Sequence, residues 1–198
     1  MDEGSYHHGN LRAALLARAE TVLAESGVAG LSLRGLARDL GVSHAAPSRH
    51  FRDREAVLGA LVTGGFTELN QRMQAAADAV GTVQQRLAAL GGAYLGYAVE
   101  HPALLELMFA TKHSDSSSQE LRELGERSLE IAAELLAEGQ SVAVVRPGDP
   151  IRLAQVAFAT MHGLAALAAG GLLDNTPLDE AAELATDVLL AGLHPADR

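Results

Sequence analysis

Residues 31–54, LSLRGLARDLGVSHAAPSRHFRDR, decide how the chain is built. Ser32 has an N-cap side chain, and Leu33, Leu36, Ala37 and Leu40 follow at i, i+3, i+4 and i+7, one apolar helical face. Gly41 breaks the pattern where a helix end needs a left-handed residue. Val42 can turn inward, and Ser43 is placed to cap a second helix over residues 44–50. Small Ala37 lets two helices cross closely and Gly41 permits a sharp turn, the steric demands of a helix-turn-helix. The outward side of the second helix carries Ser43, His44, Ser48, Arg49 and His50, groups suited to a major groove.

Charge is distributed to match. The net charge is −10, yet residues 4–54 hold seven arginines against four carboxylates, while residues 56–198 hold eight basic and eighteen acidic side chains. A modest basic patch on an acidic body fits a specific reader of nucleic acid better than a coating protein. The length of 198 residues allows one or two domains with a substantial core, and 48% apolar with 20% charged residues is a globular composition. With no cysteine, disulfides, thiolate metal sites and cysteine nucleophiles are excluded. The first 25 residues lack an apolar signal segment, and no run reaches the roughly 18 apolar residues that span a bilayer, so a cytoplasmic location without membrane contact is expected.

Outward from the opening stretch, residues 1–9 are expected to form a polar tail. His7 and His8 there have no further ligand at fixed spacing, so no metal is expected. A first helix spans residues 10–26 and stops at Gly27, making a three-helix module with the opening stretch. Asp53 can cap a long fourth helix over 54–80, with Leu58, Leu61, Val62, Phe66, Leu69 and Met73 at helical spacing. Thr82 and Gln85 match a capping box opening a fifth helix, which His101-Pro102 ends before a short sixth helix to residue 110. TKHSDSSS, 111–118, reads as a polar loop. A seventh helix runs to residue 138, with Glu123 and Arg127 placed for an i,i+4 pair, and 144–148 read as a connection with a β-like start. Asp149-Pro150 opens an eighth helix to residue 169 that is apolar almost all round, and Thr176-Pro177 opens a ninth. A helix of that kind needs a partner on its second side, so a homodimer through the last two helices is expected.

Gly27, Ser32, Leu36-Ala37, Gly41-Val42-Ser43, His50-Phe51, Arg54 and Leu58 carry a resemblance. Over the first quarter of the chain they stand in the order and spacing of the DNA-binding signature of the tetracycline-repressor (TetR) family. That signature has Tyr where this chain has Ser48 and Lys where it has Arg54. Arg54 keeps the charge, while Ser48 lacks an aromatic that packs against the DNA backbone. The resemblance implies DNA contacts at Ser32, Arg34, Ser43, His44, Ala45, Ala46, Pro47, Ser48, Arg49, His50 and Arg54. Further on, Tyr94-Leu95, Ala98, Glu100-His101-Pro102 and Leu107-Met108-Phe109 resemble a C-terminal domain type of the same family that carries Trp-x-x-x-His-Gly. Here Phe158 stands in the Trp place before His162-Gly163.

No GxSxG, HExxH, P-loop or dinucleotide fingerprint occurs, and His44 and His50, six apart, point in different directions, so no enzyme is expected. His162 lies in a nearly apolar helix; a core histidine held by a hydrogen bond is the commoner case there. Phe66, Tyr94, Tyr97, Met108, Phe109, Phe158, Met161 and His162 are the candidates for lining a small-molecule site, although as core residues they need no ligand.

The expectation is therefore an all-α protein of about nine helices, with a helix-turn-helix domain at 1–54 and a ligand-binding and dimerisation domain at 55–198. It would act as a repressor, leaving a palindromic duplex operator when a small apolar or aromatic effector binds, without a cofactor. The alternative is a helical binding or scaffold protein whose DNA reading is lost, for which Ser48 speaks.

Overall fold

The computed structural model describes residues 3–114 and 117–195, so Asp115 and Ser116, inside the expected polar loop, lie outside it. All regular secondary structure among the described residues is helical, with no strand. The eight α-helices are α1 (Glu3–Gly30), α2 (Leu33–Asp39), α3 (Arg54–Ala77), α4 (Val83–Glu100), α5 (Pro102–Lys112), α6 (Gln119–Ser141), α7 (Pro150–Ala169) and α8 (Leu178–Leu193). They form two compact units: residues 1–65 with 103–114, and residues 66–102 with 115–198. Helix α3 runs unbroken from one into the other.

Local rules set most of the boundaries. Asp53 caps α3 by accepting from the Ala56 N–H at 2.8 Å, and Thr82 and Gln85 form the expected reciprocal box. Asp149 accepts from the N–H groups of Ile151 and Arg152, with Pro150 opening α7 where its missing donor costs nothing. Gly27, at φ 65°, ends the straight part of α1 as expected. The helix begins earlier than expected, at Glu3, so residues 3–9 are not a tail outside it. Helix α5 runs on to Lys112, into the expected loop.

One expected helix is absent. Residues 44–50 form a turn and a single 3₁₀ turn, Pro47–Arg49, in place of an α-helix capped by Ser43. Pro47 is the cause. It has no N–H to give the carbonyl of Ser43, which the Ala46 N–H takes instead at 2.9 Å, and the tighter pattern continues with Arg49 to Ala46 and His50 to Pro47.

In the first unit the core is made of Leu15, Ala19, Leu23, Leu36, Ala37, Phe51, Val57, Val62, Leu105 and Met108. In the second, α4, α6, α7 and α8 pack together over Phe66, Leu69, Tyr97, Ile131, Leu136, Ala154 and Met161. Arg127 does not pair with Glu123; it reaches Glu134 at 2.6 Å and Gln74 of α3 at 3.0 Å, since a guanidinium that reaches both partners gains more hydrogen bonds than an exposed i,i+4 pair offers. The 142–148 connection has no β character. The N–H groups of Val144 and Val145 both reach the Gly139 carbonyl, and the Arg146 N–H reaches that of Leu193 at 2.7 Å, fastening the end of α8.

Gly139 is where this connection closes on α6. A methyl group there would overlap Cγ2 of buried Val145 and stand 2.9 Å from Cγ1 of Val83. Gly139→Ala is expected to destabilise despite the better helix propensity of alanine, because overpacking costs about 1–3 kcal/mol against about 1 gained. Thermal unfolding of this variant beside Gly96→Ala, whose added methyl meets nothing within 4 Å, checks the sign: the first should melt lower and the second should not.

Helix α7 corrects one expectation. By length and composition it is apolar enough to cross a membrane, because its few polar residues are spread along 20 residues. Little of it is buried: Ala154, Met161 and Ala165 face inward, while Ile151, Val156 and Leu167 are exposed. Helix α8 has no buried residue and exposes Leu184 and Val188.

Candidate functional site

The opening stretch is built by its caps. The Ser32 hydroxyl accepts from the Gly35 N–H at 3.1 Å, so its oxygen already serves α2. At the other end Gly41, φ 66°, lets the Val42 N–H reach the Ala37 carbonyl at 3.0 Å and its own N–H reach that of Arg38 at 3.1 Å, the paired closure of a left-handed helix end. Arg18 of α1 donates to Asp39 at 3.0 Å, and that hydrogen bond holds the Asp39 carboxyl below the ordinary carboxylate range. Arg12 lies over the Phe51 ring, 5.3 Å from its centroid. Arg18 thus ties α1 to α2, Arg12 reaches the residue that follows the 43–50 turn, and the turn itself packs on α2.

The turn presents Ser43, His44, Ala45, Ser48 and Arg49 outward, with Ala46 and His50 half-buried. Pro47 is fully buried; it shapes the turn and offers no surface to a partner. Among the described arginines of this stretch, Arg38, Arg52 and Arg54 pair locally with Asp39, Asp53 and Glu55, Arg54 at 2.9 Å. Arg34 and Arg49 are exposed and form no such pair. An exposed pair is worth under about 1 kcal/mol, so Arg54 can exchange Glu55 for a phosphate at little cost.

The second unit holds an apolar cavity of about 70 Å³, walled by Met73 of α3, Leu87, Leu90, Gly91 and Tyr94 of α4, Ser128, Leu129, Ala132 and Leu136 of α6, Ala154, Ala157, Phe158 and Met161 of α7 and Thr186, Leu189, Leu190 and Leu193 of α8. Tyr94, Phe158 and Met161 are thus brought together. His162 stands just behind: its Nδ1 is 2.7 Å from the Tyr94 hydroxyl, and its ring stacks on Phe158 at 5.4 Å. Burial pushes the Tyr94 phenol up, so it stays neutral. Phe66 and Tyr97 are fully buried in the same unit but do not line the cavity, and Met108 and Phe109 belong to the first unit.

Ser128 and the α8 wall carried no mark in the sequence. Asn70 could have been noticed: it interrupts the apolar face of Phe66, Leu69 and Met73, where a polar side chain needs a partner. Its Oδ1 accepts from the Ser128 hydroxyl at 2.5 Å and its Nδ2 donates to the Leu124 carbonyl at 2.9 Å. Among the described residues no group of three or more His, Asp or Glu is placed to hold a metal.

Residues 15–61 match the family described as "Bacterial regulatory proteins, tetR family", and residues 87–191 match "Tetracyclin repressor-like, C-terminal domain". No curated protein matches the chain. Among solved structures, a protein of unknown function from Rhodococcus sp. RHA1 is 48% identical, with a TM-score of 0.88 over 97% of this chain and 100% of that one. A TetR/AcrR family transcriptional regulator from Thermobifida fusca is 26% identical, TM-score 0.72, over 91% and 97%. The TetR family regulator PfmR from Thermus thermophilus, 20% identical over 93% and 99%, shares the fold with a TM-score of 0.74. The second match alone spans more than half of the chain, and with a capped turn of exposed arginine, histidine and serine at its N-terminal end the protein belongs to the TetR family of DNA-binding transcriptional regulators.

Proposed function

We propose that the protein is a repressor that binds a roughly palindromic duplex as a homodimer in the cytoplasm and leaves it when a small apolar molecule enters the cavity. Residues 1–54 read the DNA, and residues 55–198 sense the effector and dimerise. The observation that carries this reading is α3: it starts one residue after the Asp53 cap, directly behind the reading turn, and its Met73 forms part of the cavity wall. A ligand that displaces the second half of α3 pulls on the first. A dimer reading two half-sites one DNA turn apart tolerates little change in their separation.

In this reading Arg34 and Arg54 meet phosphates, which fix register without reading sequence, while Ser43, His44, Ser48, Arg49 and His50 face the bases. Ser32, Ala45, Ala46 and Pro47 shape the surface that carries them. Selection from a random duplex pool supplies the operator and tests the reading: a pool that yields no preferred sequence overturns it in favour of a scaffold role. On the selected duplex, Arg54→Ala is expected to weaken binding to all sequences alike and to lower the salt slope by about 1, whereas Arg49→Ala should cost about 1–3 kcal/mol and relax preference at one position. Binding isotherms across salt concentrations separate the two. Coupling is reciprocal, so operator must weaken effector binding by the factor that effector weakens operator, typically about 5–150-fold.

A further inference from the structure

At about 70 Å³ the cavity is far smaller than the roughly 300–1,000 Å³ of pockets that hold drug-sized ligands. A molecule of ordinary size enters only by forcing the walls apart. Nothing among the described lining residues would reward a charge: the only polar side chains are Tyr94, Ser128 and Thr186, and the Tyr94 hydroxyl already faces His162. The Ser128 hydroxyl is likewise committed, to Asn70 of α3, and both residues are only 8% exposed.

The Asn70 amide spans two positions four apart on α6, donating to the Leu124 carbonyl and accepting from the Ser128 hydroxyl. A serine inside a helix ordinarily bonds back to the carbonyl four residues before it, which here is that of Leu124. Asn70 is interposed in that bond. When Asn70 withdraws, Ser128 and Leu124 can bond each other, so α6 is left with no orphaned buried group. Only the α3 side has to find solvent. Such an arrangement has two hydrogen-bonded states and little between them, because a stretched bond is lost within a few tenths of an ångström. Met73, one turn further along α3, and Leu129 and Ala132, beside Ser128 on α6, are cavity wall, so a molecule that spreads the wall acts directly on this clip.

We propose that an uncharged hydrocarbon group in the cavity is reported to α3 by Asn70, which releases the Leu124–Ser128 turn of α6 as the walls part. This rests on the reading of the cavity as the effector site. Asn70 is a positioning residue: it touches no ligand, yet it sets how strongly α3 resists one. Because the clip opposes opening, removing it makes ligand binding tighter, a sign that a merely structural role does not give.

The test uses the full-length protein and the apolar dye N-phenyl-1-naphthylamine, with dye affinity by fluorescence and hydrogen–deuterium exchange of residues 66–77. Wild type is expected to bind the dye with faster exchange in that segment. Asn70→Ala should bind it about 5-fold or more tighter, with exchange already fast and unresponsive. Ser128→Ala should move the same way; Ser128 also lines the cavity, so Asn70→Ala, which leaves the wall intact, is the deciding variant. Should the two alanine variants bind the dye no tighter while residues 66–77 still respond, the clip is overturned and the effector site stands. If wild type binds no dye, or Ala157→Leu, which fills the cavity, binds it unchanged, both fall.

Discussion

A protein carrying Leu184→Glu and Val188→Glu together is expected to be a folded monomer whose affinity for the selected operator is lower by roughly 10²-fold or more, the scale at which a second linked contact strengthens binding. Both side chains lie on α8 at 65% and 63% exposure, so a protomer loses almost nothing when they become charged. In a dimer through α7 and α8 the same carboxylates would be desolvated without a partner, which costs several kcal/mol each by order of magnitude. The existing acids sharpen the effect, since Glu180, Glu183 and Asp187 on α8 are exposed beside them. On α7 the exposed positions Val156, Thr160, Gly163 and Leu167 recur at helical spacing, with small residues in the middle where two helices can come close. Light scattering at micromolar concentration, with circular dichroism to confirm folding, decides the matter. A wild type that is monomeric there, or a double variant that stays dimeric, would sink this interface.

Ala165→Glu is expected to act differently, although it lies on the same helix. An apolar pattern all round α7 does not say which side meets a partner subunit, and a charge at Ala165 on a partner-facing side would merely split the dimer. In the fold Ala165 is 5% exposed and packed inside its own subunit, on the same face of α7 as Ala154 and Met161. A glutamate there loses its hydration in the isolated chain. An uncompensated buried charge costs about 3–5 kcal/mol, much of the 5–15 kcal/mol that holds a domain together. For a chain of this length the melting temperature should fall by about 6–20 °C. The loss should not depend on protein concentration, which separates it from the α8 variant. Unchanged melting with lost dimerisation would show that this face of α7 meets the partner instead.

The caps were legible because capping is local. Ser32, Asp53, Thr82 with Gln85, and Asp149 with Pro150 each needed only residues two or three positions away, and all are observed bonded as expected. The Gly27 and Gly41 stops follow in the same way from the left-handed backbone that glycine adopts cheaply. The family, too, was legible, through the resemblance of Gly27, Ser32, Gly41-Val42-Ser43 and His50-Phe51 to its DNA-binding signature. The same local chemistry, weighed in full, would have shown that Pro47 forbids a regular helix over 44–50, where outward polarity outweighed the missing N–H.

What no local rule supplies is which of two apolar faces goes inward. Helix α7 is apolar on nearly every side, so its pattern has no polar face to choose by, and only packing against α4 and α6 decides that Ala165 is core and Val156 surface. The cavity is decided in the same way. Tyr94, Phe158 and Met161 were named from residue type, but Leu189, Leu190 and Leu193 came to it from α8, about a hundred residues away from Tyr94 in sequence. The Asn70–Ser128 bond joins residues 58 apart. A lone asparagine in an apolar stripe announces that a partner must exist, because an unpaired buried amide costs too much to keep. The choice of partner belongs to the tertiary structure, because any of several serines or carbonyls satisfies the same amide until the helices are packed.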